Sequence, residues 1–174
     1  MPADPDARGQ FHDLFVEMLP EVRTWLRRQG AGQDVDDLAG ETFAVVWARW
    51  DDLPAAHSDR RGWVYGVARN KLRGARGRTL HRRSLERPTD RRDPADPAST
   101  AESNDFIAQA LASLSPAERD AVAMTVLADL PPAQAAKALG CSVSALSTRL
   151  SRARVHLHRF LTLDPDPSTP ERTP

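Results

Sequence analysis

Large apolar residues recur every three or four positions along most of the chain, which is the spacing of helices with one buried face. Residues 11–29 show this pattern first, and Pro20 within them is expected to divide or kink the helix. Two further helices are predicted at 34–50 and 60–78. No stretch alternates apolar and polar residues with β-branched enrichment, so the pattern predicts no sheet.

A second set of helical patterns begins at Phe106. Ser115 suits the N-cap of the next helix and Pro116 its first turn, while Glu118 can return a hydrogen bond to the cap. The helix that these signals start is predicted to continue through Leu127.

Residues 132–139 and 143–160 have the spacing of a helix-turn-helix. Gly140 can take the positive φ that the sharp turn needs, and Ser142 can cap the second helix. Leu146 would then pack back on the first helix. The predicted buried stripe of the second helix consists of Val143, Leu146, Leu150 and Leu157.

Residues 87–105 are rich in Pro, Asp and Ser and contain no large apolar residue, which is typical of a linker. The predicted fold class is therefore all-α, with two small helical domains joined by a flexible linker and a helix-turn-helix in the C-terminal one. The predicted boundaries are 10–82 for the first domain, 83–104 for the linker, 105–162 for the second domain and 163–174 for a disordered tail.

The composition is that of a soluble globular protein, with 28% charged and 40% hydrophobic residues. No apolar run reaches the roughly 18–20 residues of a membrane span, and the polar, acidic start of the chain is no secretory signal. The lone cysteine, Cys141, excludes an internal disulfide and fits a reducing compartment. We therefore expect a cytoplasmic protein.

The net charge is zero, but the charges are divided into blocks. Residues 59–92 contain 12 basic and 3 acidic residues, and residues 142–163 contain 4 basic and no acidic residues. Acidic blocks lie before, between and after them. This division predicts two surfaces for a polyanion and other surfaces for a protein partner.

The polar face of the last predicted helix carries hydroxyls and arginines without any acid. A helix that enters the major groove must donate hydrogen bonds to phosphates and base edges, and carboxylates would repel the backbone. The alternative is a solvated bundle helix, which usually mixes Glu and Lys at i,i+4. We predict a DNA-reading helix with these candidate contacts: Ser142, Ser144, Ser147, Thr148, Arg149, Arg152 and Arg154.

The second predicted helix carries Asp34, Asp37 and Glu41 on one stripe, bordered by Leu38 and Val45. Acids beside exposed aliphatic residues are typical of a docking surface for a basic protein. The same acids also suit an ordinary solvated helix start, where the helix dipole favours them. From these residues alone, both interpretations stay open.

The third predicted helix places Trp63 and Tyr65 among many basic residues. Unpaired nucleic acid suits this mixture because bases stack on rings while cations bind phosphates. In the alternative, Trp63 belongs to the core and the cations are solvated. The basic residues are Arg60, Arg61, Arg69, Lys71, Arg73, Arg76 and Arg78.

The segment DVDDLAGETFAVVWARW, followed by RGWVYGVARNKL, resembles conserved region 2 of bacterial group IV (extracytoplasmic function, ECF) sigma factors. The segment LASLSPAERDAVAMTVLADLPPAQAAKALGCSVSALSTRLSRARVHLHRFL is similar to region 4 of the same family. Their order, the linker and the total length also match, and the resemblance covers roughly residues 10–162.

The resemblance implies a subunit that directs core RNA polymerase to promoters by recognising −10 and −35 elements, and that assists promoter melting. In that family the second helix binds the β′ clamp helices, a role that would fall to Asp34, Asp37, Leu38, Glu41 and Val45. The third helix and the loop before it would open and read the −10 element. The residues implied there are Arg60, Arg61, Trp63, Arg69, Asn70, Lys71 and Arg76.

The resemblance further implies that the helix at 143–155 reads the −35 duplex. The implied partners are core RNA polymerase, through its β′ clamp helices and β flap, and promoter DNA. Members of the family are often held by an anti-sigma factor, although no feature of this sequence indicates one.

Two other classes of protein remain as alternatives. A free-standing helix-turn-helix regulator would bind a symmetric operator without polymerase. A DNA-processing enzyme would need a nucleophile or a metal cluster, and the five histidines and one cysteine show no zinc-ligand spacing. We expect no catalytic residue, cofactor or metal, and we expect His156 and His158 to be solvated or close to phosphate.

Overall fold

The computed structural model describes residues 6–85 and 99–163, and these two ranges contain helices and turns but no strand. The all-α prediction is confirmed. Short 3₁₀ turns at Gly32–Asp34 and Trp50–Asp52 flank the second helix. The helices are α1 (Ala7–Arg28), α2 (Val35–Ala48), α3 (His57–Leu85), α4 (Ser99–Ala112), α5 (Pro116–Val122), α6 (Pro132–Leu139) and α7 (Val143–Leu163).

Helices α1, α2 and α3 pack against one another to form the first unit. Their contact faces bury Met18, Val22, Phe43 and Val64, and each large apolar side chain removed from water stabilises the unit by about 1.5–3 kcal/mol. Helix α1 runs through Pro20 without interruption, so the predicted division at that residue is wrong. Pro20 is exposed, and buried residues before and after it hold the helix against the core.

Helices occupy both ends of the range that was predicted as a linker. Helix α3 extends to Leu85 and helix α4 begins at Ser99, so both ends of the range 83–104 are helical. The interior of that range, 86–98, and the predicted tail from 164 onward lie outside the described residues.

The start of α5 forms as its sequence predicts. The Ser115 hydroxyl accepts a hydrogen bond from the Glu118 backbone N–H at 3.4 Å, and the Glu118 carboxylate accepts one from the Ser115 N–H at 3.1 Å. After α5 the chain widens into a π-helical turn at Ala123–Leu127. Such turns are rare and alter the directions of the local carbonyl groups.

Helices α6 and α7 form the predicted helix-turn-helix. Gly140 has φ +63°, and the Ser142 hydroxyl accepts a hydrogen bond from the Ala145 N–H at 3.1 Å. Leu146 is fully buried, but Val143 is 51% exposed, so its place in the predicted buried stripe is wrong. Val143 is the first residue of α7, whereas Ala153, further along α7, is buried.

The two units pack directly on each other, which the sequence pattern did not indicate. One continuous apolar core joins residues of the first unit, such as Trp25 and Tyr65, to residues of the second, such as Met124 and Ala135. A smaller cluster lies within the second unit between α4, α5 and α7.

Candidate nucleic-acid and protein interfaces

The exposed surface of α7 is mainly polar, although Val143 and Val155 are also exposed on this helix. Ser142, Ser144, Ser147 and Thr148 are all exposed, and the Thr148 hydroxyl donates back to the Ser144 carbonyl at 3.1 Å. Arg152 and Arg154 are exposed and Arg149 is half-buried. Within the described residues none of these three arginines forms an ion pair with a carboxylate, so no internal partner neutralises their charges.

The acidic stripe of α2 lines a crevice of about 340 Å³ between α2 and α3. Asp34, Asp37 and Glu41 are exposed there, and the Glu41 carboxylate pairs with the Lys71 ammonium at 3.1 Å. The crevice therefore has negative charge on its α2 side and cations on its α3 side.

The aliphatic border of this stripe differs from the prediction. Leu38 is only 3% exposed and packs in the core, so its expected position on an exposed docking face is wrong. Val45 is half-buried. Leu38 and Val45 lie seven positions apart, which is close to two full helical turns. The Leu38 side chain nevertheless belongs to the hydrophobic core. A buried leucine can fix the orientation of the surface without contacting a partner.

The predicted −10 residues on α3 do not share one face. The Arg60 guanidinium donates to the Pro54 carbonyl at 2.9 Å, and the Arg61 guanidinium pairs with Glu21 at 2.7 Å. Asn70 is exposed.

Arg69 is directed towards the second unit. Its guanidinium pairs with the Asp120 carboxylate of α5 at 2.5 Å, and both side chains are only 15% exposed. The Arg69 Nε atom is buried and has no hydrogen-bond partner among the described residues. The Arg76 guanidinium donates a hydrogen bond to the Gln29 carbonyl. Burial of Arg76, and to a lesser extent the nearby charge of Arg119, lowers the pKa of Arg76.

The two aromatic residues of α3 have different environments. Trp63 is half-buried beside α6, and the Arg49 guanidinium lies 5.8 Å from the centre of its ring. Tyr65 is 2% exposed and packs on Trp25, with ring centres 5.7 Å apart, so the expectation that it offers a ring to bases is wrong. Burial, with the adjacent Glu21 carboxylate, raises the pKa of Tyr65.

A buried carboxylate links α5 to α7. The Glu118 carboxylate accepts a hydrogen bond from the Ser115 backbone and lies 2.9 Å from His156 Nδ1. Burial acts to raise the pKa of Glu118, but the hydrogen bonds from Ser115 and His156 outweigh it and lower the pKa from the ordinary 4.5. The His156 side chain is 44% exposed, in keeping with the expectation that it is solvated, and its contact with Glu118 is an addition to that prediction. No sequence pattern predicted this pair, because its members lie 38 positions apart.

Asp120 and Lys137 are the interface residues that the sequence reasoning missed. Lys137 pairs with Asp59 of α3 at 2.8 Å, as Asp120 pairs with Arg69. Asp120 and Lys137 are single charged residues within helical patterns. They form ion pairs with the first unit only because the two units pack together. In the described ranges no group of three or more His, Cys, Asp or Glu side chains could hold a metal ion, and none of the helices has the length and apolar character needed to cross a membrane.

Comparison with known families assigns both units. Residues 14–79 match the family described as Sigma-70 region 2, and residues 107–157 match the one described as Sigma-70, region 4. The chain is 31% identical over 139 residues to the RNA polymerase sigma factor NccH of Alcaligenes xylosoxydans xylosoxydans, covering 74% of this chain and 73% of NccH.

Two further comparisons extend this likeness. The chain is 29% identical to the ECF RNA polymerase sigma factor SigG of Mycobacterium tuberculosis, over 90% of this chain and 50% of SigG. Among solved structures it resembles CnrH in complex with the cytosolic domain of CnrY, with a TM-score of 0.70, 26% identity and 90% of each chain covered. The structural likeness extends across both units.

Proposed function

Because the chain belongs to the sigma-70 family, among its ECF sigma factors, we propose that its two units divide the work of promoter recognition. The chain binds core RNA polymerase and directs the enzyme to promoters. We assign it to group IV of the family, as the sequence resemblance implies. This division is supported by the outer face of α7, which has no acidic residue and is separate from the acidic crevice of α2.

The second unit reads the −35 element as duplex DNA. The hydroxyls of Ser144, Ser147 and Thr148 are small enough to approach base edges, and Arg149, Arg152 and Arg154 can bind the flanking phosphates. The turn at Gly140 and the Ser142 cap hold α7 at a fixed angle to α6, so that its outer face enters the groove as one surface.

The acidic crevice of α2 binds the β′ clamp helices of core polymerase. Asp34, Asp37 and Glu41 are exposed and can meet cations on that partner, while Leu38 supports them from the core. The Glu41–Lys71 pair is half-exposed and contributes little to stability, so a partner cation can replace it at small cost.

The first unit opens and reads the −10 element through α3 and the loop before it. Arg60, Arg61 and Lys71 reach the surface of that helix, and Asn70 is available for a base edge. Trp63 offers part of its ring and Arg49 lies over it, which suits stacking of an unpaired base beside a phosphate. Arg69 and Arg76 complete this set, although the free chain holds both in internal contacts.

An exposed apolar surface on α4 and α7 suits the β flap. The rings of Phe106 and Phe160 lie 5.9 Å apart, and Phe106 and Leu161 are 47% and 53% exposed. Exposed aromatic pairs of this kind commonly mark protein contacts.

An anti-sigma factor is a further partner. CnrH, whose structure resembles this chain over both units, was solved in complex with the cytosolic domain of CnrY. We assign no catalytic reaction to the chain, because the polymerase performs the chemistry, and we propose a cytoplasmic location because core polymerase and promoter DNA are found there.

Gel-shift assays on labelled genomic fragments separate this function from that of a free-standing regulator. The chain and core polymerase together should retard a limited set of fragments that neither retards alone. Retardation of the same fragments by the chain without polymerase would instead favour the regulator.

A further inference from the structure

An exposed valine begins the helix that is proposed to read the −35 duplex. Val143 is the first residue of α7 and is 51% exposed. Among the large hydrophobic side chains that are exposed in the described ranges, Val143 alone lies within the first turn of α7. Ser142 and Ser144 beside it are also exposed, and a Cβ atom added to Gly140 would have no heavy atom beyond its adjacent residues within 4 Å. The start of α7 is therefore an open surface.

Folding does not explain a valine at this position. Val143 belongs to neither of the two hydrophobic clusters of the described residues. Its branched Cβ restricts χ1 in a helix, so alanine would favour helix formation more. The helix dipole would favour a carboxylate here, yet the first turn of α7 has no acidic residue. Because neither burial nor helix formation accounts for Val143, its side chain is available for a contact outside the chain.

The position of Val143 on α7 places it beside the proposed base contacts. Val143 and Ser147 lie four positions apart, so their side chains share one face of the helix. Ser147 is exposed, and in the described part of the chain its hydroxyl has no hydrogen-bond partner. The Ser142 hydroxyl caps this turn by accepting from the Ala145 N–H at 3.1 Å. In a helix-turn-helix, the N-terminal residues of the second helix are those that contact base edges.

We propose that Val143 selects a thymine in the −35 element by packing on the C5 methyl group of that base. The proposal rests on the proposed function of the second unit. Among the four bases of DNA, only thymine carries a methyl group at its major-groove edge, where the others present hydrogen-bond donors and acceptors. The valine side chain has no donor or acceptor, so it can form no hydrogen bond with those polar edges.

The same contact discriminates against the other three bases. A polar base edge covered by Val143 would lose its hydrogen bond to water, and an unpaired donor or acceptor is costly. The stiff χ1 of valine keeps its methyl groups in place, so little side-chain entropy is lost when they pack on the base. The hydroxyls of Ser144 and Ser147 can donate or accept and so suit several base edges. Val143 therefore adds a base selectivity that the serines do not provide.

Replacement of thymine by uracil tests this contact, because it removes the methyl group and keeps the base pair. The substrate is a promoter whose start point has been mapped with this chain. Each thymine of its −35 element is replaced singly by deoxyuridine, and holoenzyme binding is measured by competition in fluorescence anisotropy. For the unmodified chain, one replacement should weaken binding by about threefold, the size expected for the burial of one methyl group. With Val143→Ser, the same replacement should have no measurable effect.

Val155→Ser is the matched control for this variant. Val155 is 50% exposed on the same helix, but it lies twelve positions after Val143, roughly 18 Å along the helix axis. Val155→Ser should retain the full effect of the uracil replacement. Val143→Thr keeps the branched shape and one methyl group, so it should retain part of the effect.

A −35 element in which no thymine depends on its methyl group would overturn the proposal, as would one that contains no thymine. A uracil effect that persists unchanged in Val143→Ser, or that is lost equally in Val155→Ser, would overturn it as well. Failure of holoenzyme with the unmodified chain to bind the promoter, or binding that does not require the upstream element, would count instead against the proposed function.

Discussion

The indole N–H of Trp25 donates a hydrogen bond to the carbonyl oxygen of Ala123, 98 positions later in the chain, at 2.9 Å. That carbonyl also accepts from the Ala128 N–H at 3.0 Å, in the i→i+5 pattern of the π-helical turn. The widened turn thus presents a carbonyl to the first unit. The π-helical turn after α5 and a buried indole of α1 thus form a hydrogen bond between the two units.

Replacing Trp25 by Phe should lower the free energy of unfolding by about 1 kcal/mol for the lost hydrogen bond, and by more where the smaller ring leaves a void. Urea denaturation followed by circular dichroism measures the change. Trp47→Phe is the matched control, since its half-buried indole has no hydrogen-bond partner among the described residues. No measurable loss for Trp25→Phe would contradict a stabilising role for this hydrogen bond.

Reversing the charge of Asp37 should abolish binding to core polymerase. Asp37→Arg places a cation in the crevice proposed for the β′ clamp helices, while its exposed position leaves folding intact. Asp36→Arg makes the same change next to it, at a residue that pairs with Arg23 and lies outside that crevice. Co-purification with core enzyme should be lost for the first variant and retained for the second. If both variants still co-purified with core enzyme, the proposal that the α2 crevice binds polymerase would be contradicted.

Truncation of Arg149 should weaken −35 binding without affecting polymerase. Arg149→Ala removes a proposed phosphate contact from α7, so it should weaken binding to the upstream duplex of a responsive promoter and reduce the salt slope of that binding by about 1. Fluorescence anisotropy of the holoenzyme on that duplex, with co-purification as the second readout, measures both properties. Arg159→Ala, ten positions further along α7, should have a smaller effect. An equal loss of DNA and polymerase binding would contradict the separation of the two surfaces.

Stability should depend on pH through Glu118. Its folded pKa lies below the ordinary 4.5, so the unfolded chain takes up the proton more readily than the folded one. The stabilisation is therefore complete above about pH 4.5 and is lost as the pH falls below it. Melting temperatures of the unmodified chain and of Glu118→Gln, measured from pH 6 to pH 3.5, should differ most at pH 6 and converge in acid. A difference in melting temperature that stayed constant with pH would show that the charge of Glu118 does not cause the pH dependence of stability.

Features that depend on a few neighbouring residues could be predicted from the sequence. The Ser115 cap, the αL residue Gly140 and the Ser142 cap each depend on a few neighbouring positions, and the structure forms all three. The acid-free face of α7 follows from helical spacing alone.

The wrong predictions share a different cause, which is packing between distant segments. Leu38 follows Asp37, and Tyr65 lies four positions from Arg61 and from Arg69, yet neighbouring helices cover both. The His156–Glu118 and Arg69–Asp120 pairs were not predicted at all, because each joins residues at a separation that no periodic pattern encodes. The contact between the two units also depends on packing between distant segments. The amphipathic pattern of each unit does not specify whether the helices of both units share one core.

Run-off transcription with purified core polymerase is the most direct test of the central claim. Genomic fragments are transcribed with core enzyme alone and with core enzyme plus this chain, and the 5′ ends of the products are mapped. The account predicts discrete start points that appear only when the chain is present, preceded at constant spacing by two shared sequence elements. Identical products with and without the chain would contradict it.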